Sequence, residues 1–212
     1  NIPGIAGHLL AASVMSAPAA IVIAKIIYPE IEHSKTMGDV NIKVEKNTSN
    51  AMEALGNGAT DGLKLAANVG AMLIAFVSVV ALINYMLSII GISMETILGF
   101  IFRPLAWTMG VSWQEAELVG ILMGEKIVFT ELIAYGDLQS MIDQNKLSQR
   151  SSIIASYALC GFANFGSIGI QLGGIGGIAP ERKKDLAKLI TKAMIGGALA
   201  SWLTASVAGV LI

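Results

Sequence analysis

The sequence predicts an all-α integral membrane protein, built from spanning helices, a re-entrant helical hairpin and a broken helix. Three observations predict it. Of the 212 residues, 54% are hydrophobic and only 14% charged, about half the charge of a typical soluble domain. So little charge cannot clothe a water-exposed surface, which argues against a soluble globular enzyme. Second, four long runs lack Asp, Glu, Lys and Arg: Asn1 to Ala24, Leu65 to Met94, Ser151 to Pro180 and Ala193 to Ile212. Each approaches or exceeds the roughly 20 apolar residues a spanning helix needs. Third, the short alternating segments of a membrane barrel are absent. Hydrocarbon then requires helices, because it offers no water to open strand edges. The net charge of −1 gives no electrostatic footprint for nucleic acid, and the single Cys160 excludes an internal disulfide or a cysteine metal cluster.

Residues 1–28 form the first spanning helix, rich in small residues and carrying Pro18. The chain begins with Asn1 and shows no charged n-region followed by a cleavage site, so it reads as lacking its natural start and a signal peptide. Residues 29–62 are a polar linker of mixed charge, with Asn50 to Leu55 as one short surface helix. Residues 63–94 form the second spanning helix. Residues 95–110 combine Glu95, Arg103 and Pro104 with apolar residues and end near Trp107 and Trp113. Tryptophan favours the headgroup zone, so this segment is an interfacial helix or, equally, a short helix packed on protein.

Residues 114–148 carry the informative charges. Glu125, Lys126 and Glu131 lie within seven positions in otherwise apolar surroundings. One charge at a bilayer centre costs about 2.5–3.5 kcal/mol even on lenient scales. The segment is therefore an exterior loop or a re-entrant hairpin buried in protein, and the apolar flanks Leu118 to Met123 and Leu132 to Tyr135 favour the hairpin. Its half-helix ends would bring dipoles and unpaired backbone groups into the membrane. Glu131 is the candidate ligand-binding carboxylate, able to accept from paired hydroxyls; a structural or proton-relay role is the competing reading. Glu125 and the adjacent Lys126 read as a structural pair.

Residues 151–178 form a helix broken around Cys160 to Asn164. Phe162 offers a flat apolar face, and Asn164 and Ser167 supply donors and acceptors three residues apart; aromatic core packing and bonds between helices account for the same residues. Gly169, Gly173 and Gly177 recur on one helix face, where they permit close packing or mark an unwound stretch lining a cavity. The loop around Glu181 to Lys192 has a basic excess that places it on the cytoplasmic side. Residues 186–212 form the final spanning helix, which would run outward.

The run CGFANFGSIGIQLGGIGGIAPERKKDLAKL, Cys160 to Leu189, resembles the signature of the concentrative nucleoside transporters. GEKIVFTELIAY, Gly124 to Tyr135, is similar to that family's second hairpin motif, and HLLAASVMSAPAA and GATDGLKLAANVGAMLIAFVSVVALIN also resemble it. The resemblance covers almost the whole chain. It implies a homotrimeric, elevator-type transporter in a bacterial cytoplasmic membrane, taking up nucleosides such as uridine with a cation, usually sodium. It assigns residues 63–94 to the scaffold and trimer contact, and the hairpin and remaining spans to the transport part. By the same resemblance Glu131 holds the ribose, Phe162, Asn164 and Ser167 contact the nucleoside, and the broken helix is the substrate-binding one. The family's asparagine-glutamate-phenylalanine becomes Thr130-Glu131-Leu132, so Thr130 stands as the hairpin-tip contact. The family's first hairpin, with the base-recognition residues and sodium site, is not in this sequence. The expected partners are therefore nucleoside, membrane lipid and further copies of the chain, without nucleic acid; no resident cofactor, catalytic residue or metal ligand is assigned, and sodium belongs outside this chain. An intramembrane hydrolase is disfavoured, because neither GxSxG nor HExxH occurs and His8 and His33 have unpromising neighbours. A structural or channel-type subunit without ion-coupled transport is the alternative.

Overall fold

The computed structural model describes residues 2–31 and 49–212. His33 and half of the polar linker, residues 32–48, lie outside them. Every regular element among the described residues is helical. Three helices are long and apolar enough to cross a membrane: α1 (Ile5–Ile27), α2 (Ala51–Ser88) and the C-terminal helix α8 (Lys183–Leu211), which a 3-10 turn at Pro180–Arg182 leads into. Five shorter helices lie between: α3 (Met94–Thr108), α4 (Ala116–Val128), α5 (Glu131–Asp143), α6 (Gln149–Leu159) and α7 (Phe165–Ile178).

The helix starts follow from capping chemistry. Asn50 accepts a hydrogen bond from the Glu53 backbone N–H at 2.9 Å, and the Glu53 carboxylate accepts one from the Ser49 backbone N–H at 2.7 Å. Satisfying these otherwise orphaned donors starts α2 at Ala51. The last part of the expected linker, 51–62, is thus the beginning of a continuous 38-residue helix and not a separate surface helix at Asn50 to Leu55. At 1.5 Å per residue α2 is about 57 Å long, against a hydrocarbon core of about 30 Å. It must project well beyond the bilayer, which is where Glu53, Asp61 and Lys64 can stay hydrated. The final helix likewise starts earlier than residue 186, because the 3-10 turn feeds directly into Lys183.

Helices α4 and α5 have 13 residues each, about 20 Å, too short to span. They form a hairpin that reverses at Phe129 and Thr130. Segment 95–110 is α3, which packs along α4 through glycine contacts. A methyl group on Gly120 would come within 2.5 Å of the Gly99 carbonyl oxygen, and one on Gly124 within 2.8 Å of the Glu95 carbonyl oxygen. The opposite face of α3 exposes Phe100, Ile101 and Trp107. Arg103 of α3 pairs with Glu117 of α4 at 3.1 Å and lies over the Trp113 ring.

The main core gathers α4, α6 and α8 around Leu122, Met123, Ile154, Leu159 and Trp202. Against its edge, α1 packs on α8 and α6, where His8 Nδ1 meets the Tyr157 hydroxyl at 3.2 Å. That contact gives His8 a packing role. A smaller core of Ile168, Ile190 and Met194 joins α7 to α8 and is flanked by Phe76 of α2. The glycine face of α7 lies on α2: a methyl group at Gly169 would sit 2.8 Å from the Met72 carbonyl oxygen, and one at Gly173 3.0 Å from that of Asn68. Close helix packing is therefore what those glycines permit. Apart from this contact and Asn84, which donates to Glu95 at 2.7 Å and accepts from the Met94 N–H at 2.9 Å, α2 is almost bare, with Val80 its one buried residue. Such an apolar, unburied surface suits lipid or other subunits.

Candidate functional site

Two chain breaks bring the polar residues together. The first separates α4 from α5. Helix α4 ends at Val128, Phe129 adopts φ −105° and ψ −101°, and Thr130 is extended. Glu131 is therefore the first residue of α5, where its carboxylate complements the positive end of the helix dipole. Thr130 occupies the cap position but makes no side-chain capping bond.

The second break separates α6 from α7. Helix α6 ends at Leu159, and Gly161 takes φ +109°, a conformation other residues rarely adopt. The chain re-enters helix at Phe165 through a reciprocal cap. Asn164 Oδ1 accepts from the Ser167 N–H at 2.7 Å, and the Asn164 N–H donates to Ser167 Oγ at 3.2 Å. The Ser167 hydroxyl also donates to the Asn164 carbonyl at 2.6 Å. Both side chains are fully buried. The cap occupies Asn164 Oδ1 and leaves its amide N–H₂ free. That group points across to the first break and donates to Glu131 Oε2 at 3.5 Å, the outer limit of a hydrogen bond.

The structure thus brings Glu131 and Asn164 together, with Thr130 beside Glu131 in sequence. It places Phe162, half exposed, and Ser167 on an adjoining cavity of about 220 Å³, which Ser16, Gln171 and Ser201 also line. Glu131 and Asn164 do not line that cavity. The four residues therefore form a short arc and not a closed pocket.

Lys126 overturns one sequence reading. It does not pair with Glu125. Its ammonium donates to the Ala158 carbonyl at 2.9 Å, to Ser201 Oγ at 3.1 Å and to the Cys160 carbonyl at 3.4 Å. Adjacent residues on a helix point about 100° apart, so neighbours in sequence do not face each other. Glu125 instead lies near Asp137 of α5 and Glu95 of α3, and its Oε2 is buried without a hydrogen-bond partner among the described residues. The signal that could have found Lys126's partners was the break itself, because a helix that ends at a glycine inside protein frees carbonyls that need donors.

The open end of the hairpin is held by another residue that the sequence reading passed over. Glu115 accepts from the Ser148 backbone N–H at 2.7 Å, from Ser148 Oγ at 2.9 Å, from Ser112 Oγ at 3.1 Å and from Ser151 Oγ. Partial burial pushes its pKa up, but these hydrogen bonds together outweigh burial and hold the carboxyl below its ordinary value. Arg150 adds a second tie, donating to the Gly209 carbonyl at 2.6 Å and the Gly110 carbonyl at 3.3 Å.

A family model described as the C-terminus of Na+ dependent nucleoside transporters matches residues 8–209. The chain belongs to this family. Family relatives include a transporter of Bacillus subtilis (strain 168) described as uncharacterized, YutK, 43% identical over 97% of this chain and 52% of its own length. The rat (Rattus norvegicus) sodium/nucleoside cotransporter 2 is 40% identical over 97% of this chain and 34% of its own length. This chain thus spans about half, or less, of the curated relatives it matches. Among solved family structures, a variant of CNTnw in an outward-facing state superposes with a TM-score of 0.86 at 37% identity, covering 96% of this chain and 50% of that one. CNTnw in an inward-facing, substrate-bound state gives 0.71 at 39% identity over 95% and 50%. The helix arrangement is therefore more like the outward-facing family structure. The family fold, with its hairpin and broken helix, is the one described above.

Proposed function

We propose that this chain supplies one half of the binding site of a cation-coupled nucleoside transporter working by elevator-type alternating access. The observation that carries the reading is the meeting of Glu131 and Asn164 across two helix breaks, each at a helix N-terminus. A carboxylate there accepts hydrogen bonds from neighbouring sugar hydroxyls, and a free amide N–H₂ beside it donates to a sugar or base oxygen. The long 3.5 Å separation leaves each group poorly satisfied by the other and ready to exchange for a ligand. Phe162 offers a half-exposed ring for a nucleobase. Ser167 spends its hydroxyl inside the cap, so its part is to fix Asn164 and line the neighbouring cavity. Thr130 stands at the hairpin tip as a further contact.

The names of the relatives support the substrate class and sodium as the coupling ion; we place the ion in segments outside this chain. The bare surface of α2 supports its reading as the scaffold helix of a homotrimer. The glycine track between α7 and α2 supports a transport part that packs on this scaffold. The membrane is a bacterial cytoplasmic membrane, with Lys183 and Lys184 on its inner side by the positive-inside rule. Glu131→Gln in the complete protein tests the site. Uridine uptake should fall at least about tenfold, the range for losing a hydrogen bond to a charged group, with surface expression retained. Normal uptake by the well-folded variant would remove Glu131 from the sugar site.

A further inference from the structure

Lys126 is completely buried. An ammonium removed from water is stabilising only with several well-placed acceptors, and for stability alone an apolar side chain of similar volume serves as well or better. A lysine in this position therefore calls for a reason beyond folding. The reason lies in what it holds. Its three acceptors saturate its three N–H bonds, and they come from two other elements. Ala158 and Cys160 supply carbonyls from the end of α6, and Ser201 supplies a hydroxyl from α8. Helix α6 stops at Leu159 and Gly161 turns the chain into the left-handed region, so these carbonyls have lost the N–H partners a continuing helix would provide. A cation at this C-terminal end also matches the negative pole of the α6 dipole.

We infer that Lys126 is a positioning residue for nucleoside binding: it ties the hairpin arm α4 to the first residue of the unwound stretch Cys160–Asn164 and so sets the spacing between Glu131 and Asn164. The inference rests on the nucleoside-site reading above. Lys126 stands five positions before Glu131 on the hairpin, and Cys160 four positions before Asn164 on the broken helix. The ammonium thus joins the two chains just upstream of their ligand-facing groups. Without it, and beyond the Glu115 contacts at the hairpin's base, two polar contacts remain between hairpin and broken helix, the Tyr135 hydroxyl on the Ser156 carbonyl at 2.8 Å and the long Asn164–Glu131 contact, and neither holds the carbonyls at the break itself. Ser201 extends the tie to α8, so that three elements share one reference point.

The experiment is nucleoside uptake by the complete transporter carrying Lys126→Met, of similar volume and uncharged. Because the tie sets ground-state geometry, KM for uridine should rise about tenfold, and the maximal rate per transporter at the surface should fall less than about threefold. A KM within about twofold of the parent, or a loss confined to the maximal rate, overturns the inference. Ser201→Ala provides the reading if Lys126→Met fails to reach the membrane. It removes one of the three acceptors and should raise KM by about threefold, and an unchanged KM overturns the inference. Where both variants are expressed, the double variant should match Lys126→Met alone, since both act through one tie; a multiplied effect would instead mean that Ser201 meets the substrate independently and that the tie does not operate. Glu131→Gln measured alongside separates the two readings. Unimpaired uptake there removes the sugar-site assignment, whereas the Lys126→Met result decides the positioning role.

Discussion

The two breaks in this molecule do the same topological job in opposite ways. Between α6 and α7, nearly every polar group freed by the break is taken up. Lys126 covers the outgoing carbonyls, and the reciprocal cap of Asn164 and Ser167 covers the incoming N–H groups. Between α4 and α5, Thr130 makes no capping bond and Phe129 is exposed. One break is locked and presents a single directed amide; the other is held mainly by its arms. On the proposed reading, a ligand arriving between them would meet one capped wall and one uncapped tip, an arrangement suited to closing on a substrate without reorganising the whole site.

The largest way to break this contrast is Asn164→Ala. It removes both the cap and the amide facing Glu131. Stability should drop by about 1–2 kcal/mol, read by thermal unfolding in detergent, and uptake should fall more than tenfold, about the loss expected for a directed hydrogen bond to a charge. If stability drops but uptake per folded molecule does not, the locked break is scaffolding alone. Gly161→Ala comes next. It forces a side chain into positive φ and brings a methyl group within 2.9 Å of Ser201 Oγ, so about 1–2 kcal/mol of destabilisation is expected.

The hairpin's base supplies a pH test of the same contrast, since it is clamped where its tip is free. The Glu115 carboxyl titrates lower in the folded protein than in the unfolded chain. The stability it contributes is therefore fully present above the unfolded carboxyl's pKa and is lost as pH falls through the lowered folded value. Melting temperature should decline on that acid side, and Glu115→Gln should flatten the decline; a parallel acid limb in the variant would show that the clamp contributes nothing. Thr130→Ala should have the smallest effect. With no capping bond to lose, its stability should change by less than about 0.5 kcal/mol, leaving only a two- to threefold rise in KM as the mark of a tip contact. A stability loss matching that of Asn164→Ala would erase the difference between the breaks.

Much of the fold was legible because lipid imposes coarse rules. Long uncharged runs identified the spans, and charges stranded in an apolar segment identified the hairpin. The start of α2 was also written in the sequence, in Asn50 and Glu53 three residues later, but a run of polar residues hid it behind the look of a linker. Lys126 shows a different limit. Its neighbour Glu125 was the obvious partner by distance along the chain, yet helical geometry points the two side chains apart. Glu115 escaped notice because its partners, Ser148 and Ser151, lie on the far side of the hairpin.

By itself the sequence determined the solvent, the helical class, the break around Cys160 to Asn164 and, through capping residues such as Asn50 and Asn164, some of the helix starts. These are consequences of local chemistry: hydropathy, glycine freedom and caps that close within three residues. Only the tertiary structure decided which freed carbonyl meets which buried cation, and that Asn164 faces Glu131 while Phe162 and Ser167 face a separate cavity. Those pairings join residues about 30 to 75 positions apart. They depend on how helices pack against one another, and packing angle and register are properties that no local pattern encodes.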